Sequence, residues 1–349
     1  MGLFRFFLAL SVLLGHIGID YLLSPIYAVS GFYVLSGFYM SMILNEKYTS
    51  SKQNLLFYKK RLMRLLPLYW LLAGISLFIA IIYFYKNEHN ILFFDFINFP
   101  PNASVPSILY IVISNIIIWG QDLAMFLGIS SETGNLFFSS LSFAEEYPAI
   151  RFMLLPVAWS ISTEFSFYLI APFILRNRKR VVFFLFILSL FSNFITNYYN
   201  LNNSNWRFRF FPSTLVFFIT GYYAYLIYIH IKKMYFTKKY KSGCVFFLIS
   251  LIVVFFNLNL SYAVNCAFLL FIIFLFLPYL FYAFKDEKID RIIGEMSYPL
   301  YLVHPIIIGV ADLLEIDNKM FTVFASVLGA YLCYKCFVLP LEKIRNKYK

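Results

Sequence analysis

The sequence predicts an all-α integral membrane protein with about ten transmembrane helices and one further apolar segment that does not cross the bilayer. Composition is the first observation behind this prediction. Of the 349 residues, 61% are hydrophobic and 13% are charged, and the mean hydropathy of +0.75 exceeds what one soluble core requires. The second observation is a series of eleven apolar stretches; one helical crossing needs about 20 mainly apolar residues.

The eleven stretches follow one another along the whole chain, with no long-period repeat and no soluble domain. They lie near residues 3–23, 26–44, 62–85, 105–127, 155–175, 181–200, 208–230, 243–258, 262–284, 292–314 and 319–341. We therefore expect one transmembrane domain over residues 1–349, whose first stretch is a retained helix and not a cleaved signal peptide.

Basic clusters alternate with segments that are poor in positive charge and mostly polar or acidic, and positively charged loops favour the cytoplasm. The basic clusters lie at 47–64, 176–180, 232–241, 285–291 and 343–349, and the segments poor in positive charge lie at 86–104, 128–154, 201–206 and 312–318. Because both flanks of 105–127 are poor in positive charge, this stretch either re-enters the membrane or lies along its outer surface. Ten crossings result, with both termini cytoplasmic and an extracytoplasmic cap at 86–154.

The net charge of +12 does not indicate a nucleic-acid-binding protein, because the basic residues occur in short bursts between apolar stretches. The lipid bilayer is the expected environment. The four cysteines lie in or beside apolar stretches, which favours packing as small hydrophobic residues over disulfides or metal binding. No metal site and no bound cofactor are expected.

Arg5 and His16 form the first pair of ionisable residues in a predicted span, where such residues are costly and mark candidate functional sites. They are about three helical turns apart, so they share a face with His16 about 16 Å deeper, near the midplane. Gly15 and Gly18 would let another helix or a ligand approach, and Asp20 could orient the imidazole. A histidine satisfied by a neighbouring helix is the alternative.

Arg61 and Arg64 begin the third stretch and share a helix face at the cytoplasmic surface. Two guanidinium groups suit the phosphates of a nucleotide-like donor, because each group donates two parallel hydrogen bonds. Basic residues that only anchor a helix at the cytoplasmic membrane surface would show the same pattern.

Glu164 lies inside the fifth stretch, about 13 Å from its outer end, with Ser160 one turn away on the same side. A buried carboxylate suits a general acid or base, or a partner that holds a His or an Arg. Purely structural pairing is the alternative.

Ser297, Tyr301 and His304 share one face of the tenth stretch, with His304 near the midplane. Pro299 and Pro305 are expected to interrupt this helix, and interrupted membrane helices usually line cavities. Ser36 in the second stretch falls at a similar depth.

Five ordered blocks of the sequence contain these polar residues. The blocks are Arg5 with His16, Gly31–Phe38, Arg61–Pro67, Trp159–Tyr168 and Ser297–His304. They are similar to the patterns basic-x10-His, Phe-Phe-x-x-Ser-Gly-Phe, Arg-x-x-Arg, Trp-Ser-Leu-x-x-Glu-x-x-Phe-Tyr and Ser-Tyr-x-x-Tyr-Leu-x-His. In this order they resemble the acyltransferase-3 family, which includes many bacterial O-acetyltransferases of cell-surface polysaccharides. The sequence departs from the family at Ser30, where members often have Asp, and it lacks the fused extracytoplasmic domain of many members.

The resemblance implies an O-acyltransferase in the bacterial cytoplasmic (inner) membrane. Acetyl-CoA would be the donor substrate, and the acceptor would be a cell-envelope carbohydrate, such as a lipopolysaccharide O-antigen or a lipid-linked glycan. It implies catalytic roles for His16, Glu164 and His304, donor binding by Arg5, Arg61 and Arg64, and supporting roles for Ser36, Ser160, Ser297 and Tyr301. His16 would act either as a general base or as a transient acyl carrier. Without the fused domain, the chain would complete the transfer alone or pass the acyl group to a separate extracytoplasmic transferase.

A transporter or flippase for a lipid-linked sugar is the main alternative, because ten spans with a polar central layer suit it equally well. A structural partner in an envelope assembly is a further alternative. A transporter predicts uptake without covalent transfer, and a structural partner predicts that single replacements of the central polar residues have no effect on function.

Overall fold

A computed structural model describes residues 1–19, 22–84, 99–176, 178–199, 201, 205–233, 241–258 and 260–347. Its α-helices are α1 (Gly2–His16), α2 (Pro25–Glu46), α3 (Asn54–Phe84), α4 (Val105–Ile117), α5 (Trp159–Ile174), α6 (Lys179–Tyr198), α7 (Phe211–Ile231), α8 (Lys241–Phe256), α9 (Tyr262–Phe284), α10 (Lys288–Leu313), α11 (Lys319–Cys333) and α12 (Leu339–Lys347). Two strands, β1 (Leu127–Ile129) and β2 (Leu136–Phe138), form an antiparallel hairpin. Asp20, residues 86–98 of the predicted cap, and parts of the basic clusters at 232–241 and 343–349 lie outside the described residues.

Each of the eleven apolar stretches contains a helix. Among the described residues, eight helical segments are long and apolar enough to cross a membrane, and three shorter apolar helices lie at Gly2–His16, Val105–Ile117 and Gly243–Phe256. Since the only sheet among the described residues is one two-stranded hairpin, the predicted all-α membrane class is confirmed. The division into ten crossings and one non-crossing segment stays a prediction. Helix α4 has 13 residues and is about 20 Å long, against a hydrocarbon core of about 30 Å, but α1 and α8, which are predicted to cross, are also shorter than a full span.

The first helix is shorter than predicted, because α1 ends at His16 although the apolar stretch continues to residue 23. Gly18 has a φ of +69°, a left-handed conformation that glycine adopts without strain and that turns the chain toward α2. A β-carbon on Gly15 would overlap the ring of Pro25, the first residue of α2. The two glycines therefore serve the turn between α1 and α2.

Helix α10 is continuous from Lys288 to Leu313, so the interruption predicted from Pro299 and Pro305 is wrong. Each proline removes one backbone hydrogen bond, a loss that neighbouring helices and local adjustments compensate in membrane proteins. Ser297, Tyr301 and His304 therefore lie on one unbroken helix.

The chain folds into two compact units, each assembled from separate parts of the sequence. Unit 1 contains Met1–Phe57, Phe167–Ser192 and Thr214–Tyr301, and unit 2 contains Tyr58–Ser166, Asn193–Ser213 and Leu302–Lys349.

In unit 1, helix ends that lie far apart in sequence meet in pairs. Asp290 near the start of α10 accepts hydrogen bonds from the backbone N–H groups of Gly2 (2.7 Å) and Leu3 (3.0 Å) at the start of α1. At the ends of α2 and α7, Glu46 and Lys232 form an ion pair at 3.6 Å. These contacts agree with a bundle whose helices alternate in direction, as the charge pattern predicts.

In unit 2, α4 ends beside the middle of α3. The Tyr69 hydroxyl at the midpoint of α3 donates to the carbonyl of Asn115 (2.9 Å), and the Trp70 indole N–H donates to that of Ile116 (2.7 Å). These side chains satisfy carbonyls that a helix end leaves without intrahelical partners. Because its end lies at the middle of a membrane-length helix, this contact favours the re-entrant alternative of the two predicted for this stretch, and the choice between them stays a prediction.

The two faces of α4 differ in exposure. The buried residues Ser107, Ile111 and Ser114 face the protein, and large apolar residues are exposed on the other side: Val105, Ile108, Leu109, Val112, Ile113, Ile116 and Ile117. We call residues 118–122, which follow this helix, the tip loop. Beyond it the chain forms the hairpin, whose Gly134 carbonyl accepts from Ser104 N–H (2.9 Å) and the Ser107 hydroxyl (2.7 Å).

Candidate active site

Helix α2, which carries the second sequence block, contacts one residue from each of three other blocks. The Arg5 guanidinium lies 5.9 Å from the ring centre of Tyr39, immediately after the second block. The Ser36 hydroxyl donates to the phenol oxygen of Tyr168 at the end of the fourth block (3.3 Å). The rings of Phe32 and Tyr301, from the second and fifth blocks, are 6.2 Å apart. All these contacts lie within unit 1, so α2 forms its polar and aromatic centre.

His16 is the last residue of α1 and is exposed on the protein surface. Starting from Gly2, α1 rises about 22 Å to this residue, less than the roughly 30 Å thickness of the hydrocarbon core. If α1 begins at one membrane surface, the imidazole lies inside the bilayer on the far side of the midplane. The exposed position of His16 leaves its imidazole accessible to a reactant.

The fifth block is buried on α10. His304 and Ser297 have no exposed surface, and Tyr301 is 7% exposed. The Ser297 hydroxyl donates to the carbonyl of Gly294 at 2.6 Å. A β-carbon added to Gly294 would lie 2.6 Å from the α-carbon of Gly2. Ser297 therefore helps to shape the turn against which α1 packs.

The arginines of the third block lie in the first half of α3, and both are half-buried. Within the described part of the chain, Arg64 has neither a hydrogen-bond nor an ion-pair partner. A half-buried guanidinium without an internal partner is a ready site for an external anion.

The fourth block forms the first turns of α5. Glu164 is half-buried and Ser160 is buried, with the Ser160 hydroxyl donating to the carbonyl of Val157 (3.2 Å). Trp159 at the helix start packs against Arg209, whose guanidinium carbon lies 5.2 Å from the centre of the indole ring. The two residues thereby join α5 to the π-helical turn Asn205–Arg209.

Sequence reasoning did not single out several residues that hold these elements in place. Asp290 caps α1, Asp122 binds α5 through the Ser162 hydroxyl (2.6 Å), and Tyr168 pairs with Ser36. An acidic residue in the first turn of α10 was the only local signal for Asp290. At Ser30, where the related family often has Asp, the hydroxyl bonds the Ile26 carbonyl of its own helix (2.9 Å).

No group of three or more His, Cys, Asp or Glu side chains that could hold a metal ion occurs among the residues for which positions are described. The candidate residues named above carry imidazole, carboxylate, guanidinium and hydroxyl groups.

One family model matches the chain over nearly its whole length. This model, described as an acyltransferase domain and representing the acyltransferase-3 family, matches residues 1–338. No curated protein and no solved structure matches the chain. The matched range contains all five of the sequence blocks.

Proposed function

Because this chain belongs to the acyltransferase-3 family of membrane acyltransferases, we propose that it moves an acetyl group from acetyl-CoA to a carbohydrate hydroxyl. The family match carries this proposal, and the contacts of α2 with one residue from each of three other sequence blocks support it. The acceptor is a cell-envelope or surface glycan, or its lipid-linked precursor. The protein acts in the bacterial cytoplasmic (inner) membrane with both termini in the cytoplasm.

The donor's phosphates bind Arg61 and Arg64, with Arg5 as a further donor-binding cation. The half-buried guanidinium of Arg64 supports this assignment, because its charge has no internal partner among the described residues. Both arginines belong to the basic cluster at 47–64, which favours the cytoplasmic side. Acetyl-CoA from the cytoplasm therefore meets these cations first.

The transfer breaks the carbon–sulfur bond of the thioester and forms a carbon–oxygen bond to the sugar. As general base, His16 takes the proton of the attacking hydroxyl and returns it to the CoA thiolate. As acyl carrier, its imidazole nitrogen attacks the thioester carbonyl and CoA leaves as the thiol with the ring proton; the sugar hydroxyl then attacks the acetyl-imidazole, and its proton returns to the ring. Glu164 shares protons or orients a partner, and His304 positions the reacting groups. Ser36, Ser160, Ser297 and Tyr301 support these groups.

Radiolabel transfer in purified, reconstituted protein tests the proposal. The acceptor probe is total envelope glycan extracted from host cells that lack this protein, incubated with acetyl-labelled acetyl-CoA. We expect label in the glycan with wild-type protein, none with His16→Ala, and normal transfer with His230→Ala. His230 is an exposed histidine in the last turn of α7 and serves as the matched control.

Two results would overturn parts of the proposal. Wild-type transfer by a folded His16→Ala protein would exclude both roles of His16. Uptake of a lipid-linked sugar without covalent labelling would exclude acyl transfer in favour of transport. Labelling of a lipid or protein intermediate, with glycan labelled only after envelope extract is added, would indicate a separate extracytoplasmic transferase.

A further inference from the structure

The tip loop binds one face of α5 at two successive turns. The Ser162 hydroxyl donates to Asp122 Oδ1 at 2.6 Å and accepts the N–H of Gly120 at 2.9 Å. The indole N–H of Trp119 donates to the Ser166 hydroxyl at 3.1 Å. Ser162 and Ser166 are four residues apart and therefore lie on the same helix face. The loop is thus attached to α5 through side chains of that face.

Asp122 is the central group of this attachment. Its side chain is 7% exposed, and Ser162 has no exposed surface. Since a buried carboxylate is costly unless it is hydrogen-bonded, and charge-assisted bonds of this length are strong, the Asp122–Ser162 pair is held firmly.

The tip loop is itself anchored to α3 and α4. The Gln121 amide donates to the Tyr69 hydroxyl (2.9 Å) and to the carbonyl of Ser114 (3.1 Å), and Tyr110 donates to the carbonyl of Gly120 (2.8 Å). Asp122 therefore connects α5 to a fixed framework.

The opposite face of α5 carries the candidate catalytic carboxylate. Two helical positions correspond to a rotation of about 200°, so Ser160 and Glu164 point away from the face that Ser162 and Ser166 share. None of these hydrogen bonds between the tip loop and α5 involves Ser160 or Glu164. The bonds instead restrain the rotation of α5 about its axis and the depth of its first turns.

We propose that Asp122 is a positioning residue for Glu164, acting through Ser162 and the first turns of α5. This inference rests on the proposed function and adds to it a residue outside the five sequence blocks. An error of about 1 Å in the placement of a reacting group can cost about 100-fold in rate. A fixed rotation of α5 is therefore a kinetic requirement as well as a structural one.

A double-mutant cycle in the reconstituted transfer assay tests this inference. We expect Asp122→Ala to lower kcat by about 10-fold with an unchanged KM for acetyl-CoA, because only the placement of Glu164 changes. Asp122→Asn keeps an oxygen that accepts from Ser162 and should restore most of kcat. In a Glu164→Gln background, Asp122→Ala should cause no further loss beyond about twofold.

Ser107→Ala is the matched control, because it removes a hydrogen bond from the opposite end of α4 and leaves the tip loop intact. It should leave kcat unchanged in both backgrounds. An equal loss of kcat from Asp122→Ala in the wild-type and Glu164→Gln backgrounds would overturn the inference, as would equal losses from Asp122→Ala and Ser107→Ala. Absence of transfer by wild-type protein would instead refute the proposed function itself.

Discussion

Gly37 and Gly221 lie where the backbones of α2 and α7 touch. A β-carbon on Gly37 would overlap the carbonyl oxygen of Phe218, and one on Gly221 would overlap that of Val34. Small residues allow this close approach, which drives helix association in membranes through packing. Gly37 directly follows Ser36, so the contact also fixes the part of α2 that binds Tyr168.

Alanine at either of these glycines should destabilise the protein by about 1–3 kcal/mol, because the added methyl group overpacks a backbone contact. Thermal unfolding of detergent-solubilised protein measures this change. Gly74→Ala is the control, since a β-carbon there has no neighbour within 4 Å, and it should leave stability unchanged or raise it by up to about 1 kcal/mol. Equal unfolding temperatures for Gly37→Ala and Gly74→Ala would contradict the contact.

Asp290→Ala should lower stability by about 1–3 kcal/mol, because it leaves the buried N–H groups at the start of α1 without an acceptor. Asp290→Asn keeps one acceptor oxygen and should cost less. Unfolding temperatures of the two variants, compared with Asp317→Ala at an exposed acidic residue, test this order. The prediction fails if the alanine and asparagine variants unfold together with wild type.

Arg64→Ala should raise the KM for acetyl-CoA by about 10-fold or more, because a charge-assisted hydrogen bond contributes about 1.5–3 kcal/mol. Arg64→Lys should give an intermediate KM, since it keeps the charge and loses the planar fork. The measurement is initial transfer rate against acetyl-CoA concentration.

Lys52→Ala serves as the control for Arg64, because Lys52 is exposed and belongs to the same basic cluster. Its KM should remain at the wild-type value. A similar rise for both variants would indicate a diffuse charge effect and not a phosphate site.

Spin labels along the exposed face of α4 should report steadily increasing membrane depth. In a background without the native cysteines, labels at Val105, Leu109, Val112 and Ile116 should span about 16 Å in depth, at 1.5 Å per residue. Collision rates with oxygen and a polar nickel complex measure the depth. Equal depths at all four positions would show that α4 lies along the membrane surface.

The helices were predictable because a membrane imposes a simple local requirement. Each apolar stretch contains a helix, and the predicted non-crossing stretch contains the 13-residue α4. The ends of helices were less predictable. The stop of α1 at His16 depends on the φ of Gly18 and the packing of Gly15 on Pro25, and α10 continues through two prolines.

The sequence by itself determined the membrane class, the order of the helices and the candidate residues, because hydrophobic length, charge bias and motif spacing are local properties. Only the tertiary structure decided which residues hold the candidates in place. Ser36 and Tyr168 are 132 positions apart, Gly2 and Asp290 are 288 apart, and Asp122 and Ser162 are 40 apart. Such pairs depend on how helices approach and rotate against each other, and that packing is a property of the whole chain, beyond any local pattern.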